Sequence, residues 1–120
     1  MAMEWSDTIV ITELADEPAL SEDMHALLDR LQAASDRVPH VVLNFGQVTY
    51  VNSSNLAQLL RLKKVLHERD AQLRLCSLSD QVWSVFMVTG LDKIFRFAPD
   101  PMTALASLQM EDERNEGGRR

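Results

Sequence analysis

The sequence predicts an α/β domain in which strands and amphipathic helices alternate along the chain. Two observations carry this reading. Runs rich in β-branched and apolar residues, at Thr8–Thr12, Val41–Phe45 and Gln72–Ser77, are separated by segments whose leucines recur at helical spacing. The 120 residues, 46% hydrophobic and 25% charged, are enough for one domain with one continuous core and are ordinary for a globular protein.

Taken in order, Met1–Ser6 reads as a loosely held lead-in and Thr8-Ile9-Val10-Ile11-Thr12 as a strand of β-branched residues. Glu13–Pro18 is a polar connector. Ser21 is a candidate N-cap, with Glu22 and Asp23 favourable in a first helical turn. Met24, Leu27, Leu28 and Leu31 then form a single core-facing stripe, and His25 falls off it as a solvated residue. A helix between two extended runs reads as a crossover unit.

Val41–Leu66 is the stretch around which the rest is organised. Val41-Val42-Leu43-Asn44-Phe45 suits a central strand with parallel neighbours. Gly46-Gln47 breaks the run, and Val48-Thr49-Tyr50-Val51 resumes extended chemistry. Asn52-Ser53-Ser54-Asn55 then stands directly before Leu56, Leu59, Leu60, Leu62, Val65 and Leu66, which places the polar quartet at a helix N-terminus. A serine there either caps the helix or, if phosphorylated, holds a dianion where free backbone N–H groups and the macrodipole favour negative charge. Asn55 and Gln58 have the spacing of a capping box. Arg61, Lys63, Lys64 and Arg69 form a charged face, read first as solvated and second as a dock for an acidic partner.

Downstream, Leu73 and Leu75 alternate with Arg74 in a further strand. Ser79 or Asp80 caps a helix that carries Val82, Trp83, Val85, Phe86 and Val88 and stops at Gly90. Most of these are core residues, with Trp83 and Met87 the candidates for a partner surface. Leu91–Phe95 reads as a turn and Arg96-Phe97-Ala98 as a short strand. Pro99-Asp100-Pro101 opens a last helix with Asp at the N-cap and Pro at N1, and Met102, Leu105, Ala106 and Leu108 supply its inner face. Glu111–Arg120 has no apolar residue and is expected to be disordered. The expected organisation is one domain over 5–110 followed by the 111–120 tail.

Composition narrows the function. A net charge of −6 and a pI near 4.9 give generic nucleic-acid binding no electrostatic support. The single cysteine, Cys76, excludes an intramolecular disulfide and reads as a buried, inert thiol. The chain shows no secretory signal and no apolar run of membrane-spanning length, so a cytoplasmic protein without membrane insertion is expected. His25, His40 and His67 share no short spacing, so no metal site is expected. Neither GxGxxG nor GxxxxGK[ST] occurs, and no cofactor is expected. A hydrolase built on Ser54 would need a base within hydrogen-bond reach, and nothing in the sequence specifically supplies one. The balance favours a binding module over an enzyme.

The two runs Val41–Leu56 and Val85–Phe95 resemble, in order and separation, the STAS domain of bacterial anti-sigma factor antagonists. In that family an apolar strand leads through a loop to an Asp-Ser-Ser/Thr-Gly-Leu turn and a leucine-rich helix. Here the turn reads Asn52-Ser53-Ser54-Asn55-Leu56, and Val88-Thr89-Gly90-Leu91-Asp92 is similar to the family's second signature. The resemblance covers about Ile9 to Leu108. It implies a STAS-type fold, a small mixed, mostly parallel sheet of about four or five strands with helices mainly on one face.

The resemblance also implies a function. An unphosphorylated domain would bind an anti-sigma factor that is a serine kinase of the GHKL type, and phosphorylation would break the complex until a phosphatase resets it. Ser54 matches the phosphorylated position, with Ser53 the second choice. The partner surface would comprise Asn52, Ser53, Ser54, Asn55 and Gln58. Three positions depart from the pattern: Asn44 and Asn52 stand where the family has acids, and Asn55 where it has glycine. Losing the acid at 52 removes a charge that could orient a kinase's magnesium. These amides favour the alternative, a STAS adaptor in a larger signalling or transport assembly that works without phosphorylation. The kinase, sigma factor, signal and oligomeric state are not written in the sequence.

Overall fold

Three successive strand–helix–strand crossovers set the architecture. The computed structural model describes the backbone of residues 2–5, 8–35 and 37–118, and the side chains of 8–35 and 37–110. Strand β1 is Ala2–Trp5, β2 Ile9–Ala15, β3 His40–Gln47, β4 Leu73–Cys76 and β5 Phe97–Ala98. Helix α1 is Ala19–Ala33, α2 Ser53–Glu68, α3 Asp80–Thr89 and α4 Pro101–Gly118, with a 3₁₀ turn at Leu91–Lys93. The sheet order is β1-β2-β3-β4-β5. Strands β2 to β5 are mutually parallel, and β1 runs antiparallel to β2. The mixed, mostly parallel sheet is the one expected.

The strand registers explain the burial. Val10, Val41, Leu43, Phe45, Leu73 and Leu75 alternate onto one face with the stripes of α1 and α2 and with Phe86 of α3. Leu20 joins Met24, Leu27, Leu28 and Leu31 in the α1 stripe. Ile9, Val42 and Cys76 turn to the opposite face, where Ala104 and Leu108 of α4 cover them. Three helices thus lie on one face and α4 on the other. Burial pushes the Cys76 thiol up from its ordinary pKa, which suits an inert side chain.

The helix stops follow local chemistry. Ser79 Oγ accepts from the Val82 N–H at 3.2 Å, and Gly90 ends α3 with φ +79°, where glycine has no Cβ to clash. Asp100 accepts from the Thr103 N–H at 2.7 Å, with Pro101 as the first residue of α4.

Several expectations are corrected. The lead-in 2–5 is strand β1; its AMEW sequence lacks β-branched residues, and pairing with the free edge of β2 supplies the order. The Val48–Val51 run is not a second strand. Val48 N–H bonds back to the Phe45 carbonyl at 2.9 Å, and Val48 and Val51 are buried as loop residues. Ser21 is not an N-cap, because α1 already starts after Pro18. Arg69 is no solvated cation: its guanidinium donates to the Ala34 carbonyl at 2.8 Å and the Leu31 carbonyl at 3.4 Å, closing the end of α1. On α4 the buried residues are Ala104 and Leu108, while Met102 and Ala106 face solvent. The tail expectation for 111–120 falls on residues whose side chains lie outside the described set, and α4 extends along the backbone to Gly118.

Candidate functional site

Parallel pairing brings the C-terminal ends of β2, β3 and β4 to one end of the sheet, and the loops that follow them gather there. The 16–18 loop therefore lies beside the 48–52 loop and the start of α2.

Asn52 is the N-cap of α2, with extended backbone at φ −111° and ψ 179°. Its side-chain Oδ1 accepts from the Asn55 N–H at 2.8 Å, and its own N–H donates to Asn55 Oδ1 at 2.9 Å. This is a reciprocal capping box. The expected box between Asn55 and Gln58 is not formed, because Asn52, not Asn55, has the extended backbone of a cap. Gln58 instead donates through Nε2 to the Ser21 carbonyl at 3.2 Å, tying α2 to α1. Its Oε1 is buried without a partner among the described residues.

Asn55 is fully buried, and the second half of its carboxamide points at the neighbouring loop. Nδ2 donates to Glu17 Oε2 at 2.9 Å and to Ser21 Oγ at 3.3 Å. Glu17 is held in turn by the Ser21 N–H at 2.8 Å on Oε1 and by the Ser21 hydroxyl on Oε2. The Ser21 hydroxyl, the Asn55 amide and the Ser21 N–H keep the Glu17 carboxyl below its ordinary 4.5. One residue earlier, Asp16 accepts from the N–H and hydroxyl of Thr49, each at 2.8 Å, and these hold its carboxyl below 3.8. Two exposed carboxylates of one loop thus pin the loop and helix start that carry the serines.

Ser53 and Ser54 form the first turn of α2 and are both exposed. Among the described residues neither hydroxyl has a hydrogen-bond partner in the chain. Nothing acidic lies within the first turn of α2 itself. Tyr50, 63% exposed, projects from the same loop. Asn44 accepts the Gly46 N–H at 2.8 Å, so it serves the end of β3 and does not reach the serine turn.

The serine turn is an exposed surface. A cavity of about 260 Å³ lined by Lys63, His67, Leu73, Phe95 and Arg96 lies toward the other end of α2, and one of about 480 Å³ runs along β5 and α4. No predicted site residue lines either. No group of three His, Cys, Asp or Glu among the described residues is placed to hold a metal ion.

The sequence reading of Asn52, Ser53, Ser54, Asn55 and Gln58 as one helix start matches the structure, whereas Asp16 and Glu17 read only as part of a polar connector and Ser21 only as an N-cap. The available signal was topological: in a parallel sheet the polar connector after β2 must lie beside the connector after β3.

A model of the STAS domain matches residues 6–104. The chain belongs to the STAS domain family. A relative from Bordetella bronchiseptica, named as anti-sigma factor antagonist BtrV, is 33% identical over 69 residues, covering 58% of this chain. The match spans 60% of that relative's length. Among solved structures, an anti-sigma-factor antagonist (STAS) domain protein from Planctomyces limnophilus aligns with a TM-score of 0.76 and 19% identity over 90% of this chain and 97% of its own. The unphosphorylated form of the anti-sigma factor antagonist SpoIIAA aligns with a TM-score of 0.74 and 18% identity over 90% and 95%. At these identities the structures share the fold. Among the described residues, no helix of this STAS domain is long and apolar enough to cross a membrane.

Proposed function

We propose that this STAS domain is a regulatory binding module of the anti-sigma factor antagonist kind, without catalysis of its own. It docks on an anti-sigma factor that is a serine kinase of the GHKL type, through the exposed Ser53, Ser54 and Tyr50 with the half-buried Asn52 and Gln58 beside them; Asn55, expected in the same surface, is fully buried and holds the turn from within. Phosphate at Ser54, or failing that at Ser53, releases it. The observation that carries this reading is the pair of exposed, unpartnered serine hydroxyls on the first turn of a 16-residue helix. Backbone N–H groups and the positive end of the helix accommodate a phosphate there, while its dianion opposes docking in a packed interface. The relative named as an anti-sigma factor antagonist supports the partner class.

The adaptor reading keeps one specific support. Asn52 and Asn55, which replace an acid and a glycine of the family turn, are both committed to holding the helix start. Affinity capture from the host with the wild type, Ser54→Ala and Ser54→Asp separates the two. A switch keeps its kinase partner with Ala and loses it with Asp. Equal capture by all three leaves the adaptor.

A further inference from the structure

We propose that Glu17 is the positioning residue of the serine turn, and that phosphate on Ser54 acts through it to release the 16–18 loop. The second half of this statement rests on the switch reading above; the first half does not.

The inference starts from a buried amide. Asn55 is fully buried, so each of its polar atoms needs a partner. Asn52 satisfies its N–H and uses its Oδ1, but Asn52 offers nothing to Nδ2. That donor is met from 38 residues away by Glu17, with Ser21 as a longer second acceptor. The Ser21 hydroxyl is itself oriented by donating to Glu17. Removing the carboxylate therefore disorders both acceptors together. Since Asn55 closes the capping box, the position of Ser53 and Ser54 depends on a carboxylate outside their own helix.

The same wiring makes the turn sensitive to charge. Glu17 is ionised, and its three hydrogen bonds come from neutral donors. A phosphate dianion at Ser54 would stand one residue before Asn55, whose Nδ2 the Glu17 carboxylate holds, and would add like charge to the same helix start. Glu17 then withdraws from Asn55, and the loop bearing Asp16 and Glu17 shifts away from α2. The release signal thereby spreads from one side chain to two adjoining loops.

The test uses the full chain with ¹⁵N labelling. Phosphoserine is installed genetically at position 54, so that no kinase need be known. The Asn55 side-chain NH₂ resonances and the amide exchange of Asn55 and Leu56, whose N–H groups Asn52 accepts, are followed. Glu17→Ala is expected to accelerate exchange at these two amides on the order of tenfold, as a buried donor loses its acceptor. Exchange at Val82, in the equivalent position of α3, is expected to stay unchanged. In an Asn55→Gly background the same Glu17→Ala change is expected to have no further effect. Glu17→Gln keeps an acceptor without the charge, so its turn is expected to stay ordered even with phosphoserine at 54, whereas the wild-type turn loosens.

Unchanged exchange in Glu17→Ala, or additive effects with Asn55→Gly, overturns the positioning role. Equal loosening by phosphoserine in the wild type and in Glu17→Gln overturns the charge route. Failure of the switch reading looks different: the Ser54→Asp capture above is unaltered while the Glu17→Ala effect on exchange persists.

Discussion

Helices α2 and α3 begin in the same way and are secured differently. Each opens with an uncharged polar cap, Asn52 or Ser79, whose side-chain oxygen accepts the N–H of the third helical residue. In each that third residue is fully buried. In α3 it is Val82, which packs into the main core and asks nothing more of its neighbours. In α2 it is Asn55, whose amide must be matched by Asn52, Glu17 and Ser21. A buried apolar residue at a helix start is secured by contact alone, whereas a buried amide ties the start to whichever loop supplies its partners. The exposed serines stand on the tied start.

Exchanging the two residues breaks the comparison most directly. Val82→Asn places an amide in the fully buried main core and is expected to cost about 3 kcal/mol or more in denaturant unfolding. The reciprocal Asn55→Val strands the Asn52 N–H and frees Glu17 while still filling the space. A loss of about 1–3 kcal/mol is expected from the same measurement. If the second change proved neutral, the amide network would be dispensable.

Acid sharpens the contrast without any substitution. The folded-state pKa values of Glu17 and Asp16 lie below their ordinary 4.5 and 3.8, because neutral donors bind the ionised forms. Their contribution is therefore fully present above about pH 5 and is lost as pH falls through the lowered values. Protection factors at Asn55 and Leu56, corrected for intrinsic exchange, are expected to fall below pH 4.5 ahead of those at Val82, whose N–H is capped by a hydroxyl that does not titrate. Matching acid profiles at the two helix starts would remove the distinction. The smallest effect is expected at the serine itself. Ser54→Ala deletes an exposed hydroxyl with no partner in the chain, and thermal unfolding should place it within about 0.5 kcal/mol of wild type.

Much of the candidate site was legible because its cues are local. Four small polar residues ahead of a leucine stripe mark a helix start whatever surrounds them, and the structure places Asn52–Asn55 there. What was missed is the donor–acceptor pairing within the quartet and the residues that support it from elsewhere, Asp16 and Glu17 of the 16–18 loop and Ser21 of α1. Asn55 and Gln58 have suitable spacing for a box, but the cap lies at Asn52, where the backbone is extended, and that dihedral depends on how the 48–51 loop packs. Glu17 gave no sign of itself as a residue of a polar connector, since a carboxylate 38 residues from its partner leaves no periodic trace.

The same division runs through the whole chain. The sequence by itself determined the order of elements after residue 8 apart from the 48–51 run, the main core stripes of α1 and α2, the cap at Asp100 and the stop at Gly90, and it narrowed the α3 cap to Ser79 or Asp80, because each rests on side chains and backbone within a turn or two of one another. Only the tertiary structure decided that residues 2–5 become a strand, that Val48–Val51 becomes a buried loop, that Arg69 closes α1, that α4 turns Ala104 inward and Met102 outward, and that Glu17 meets Asn55. In each of those cases the deciding partner lies far away along the chain, and a sheet edge, a buried carbonyl or an unmet amide donor exists only once the chain has folded around it.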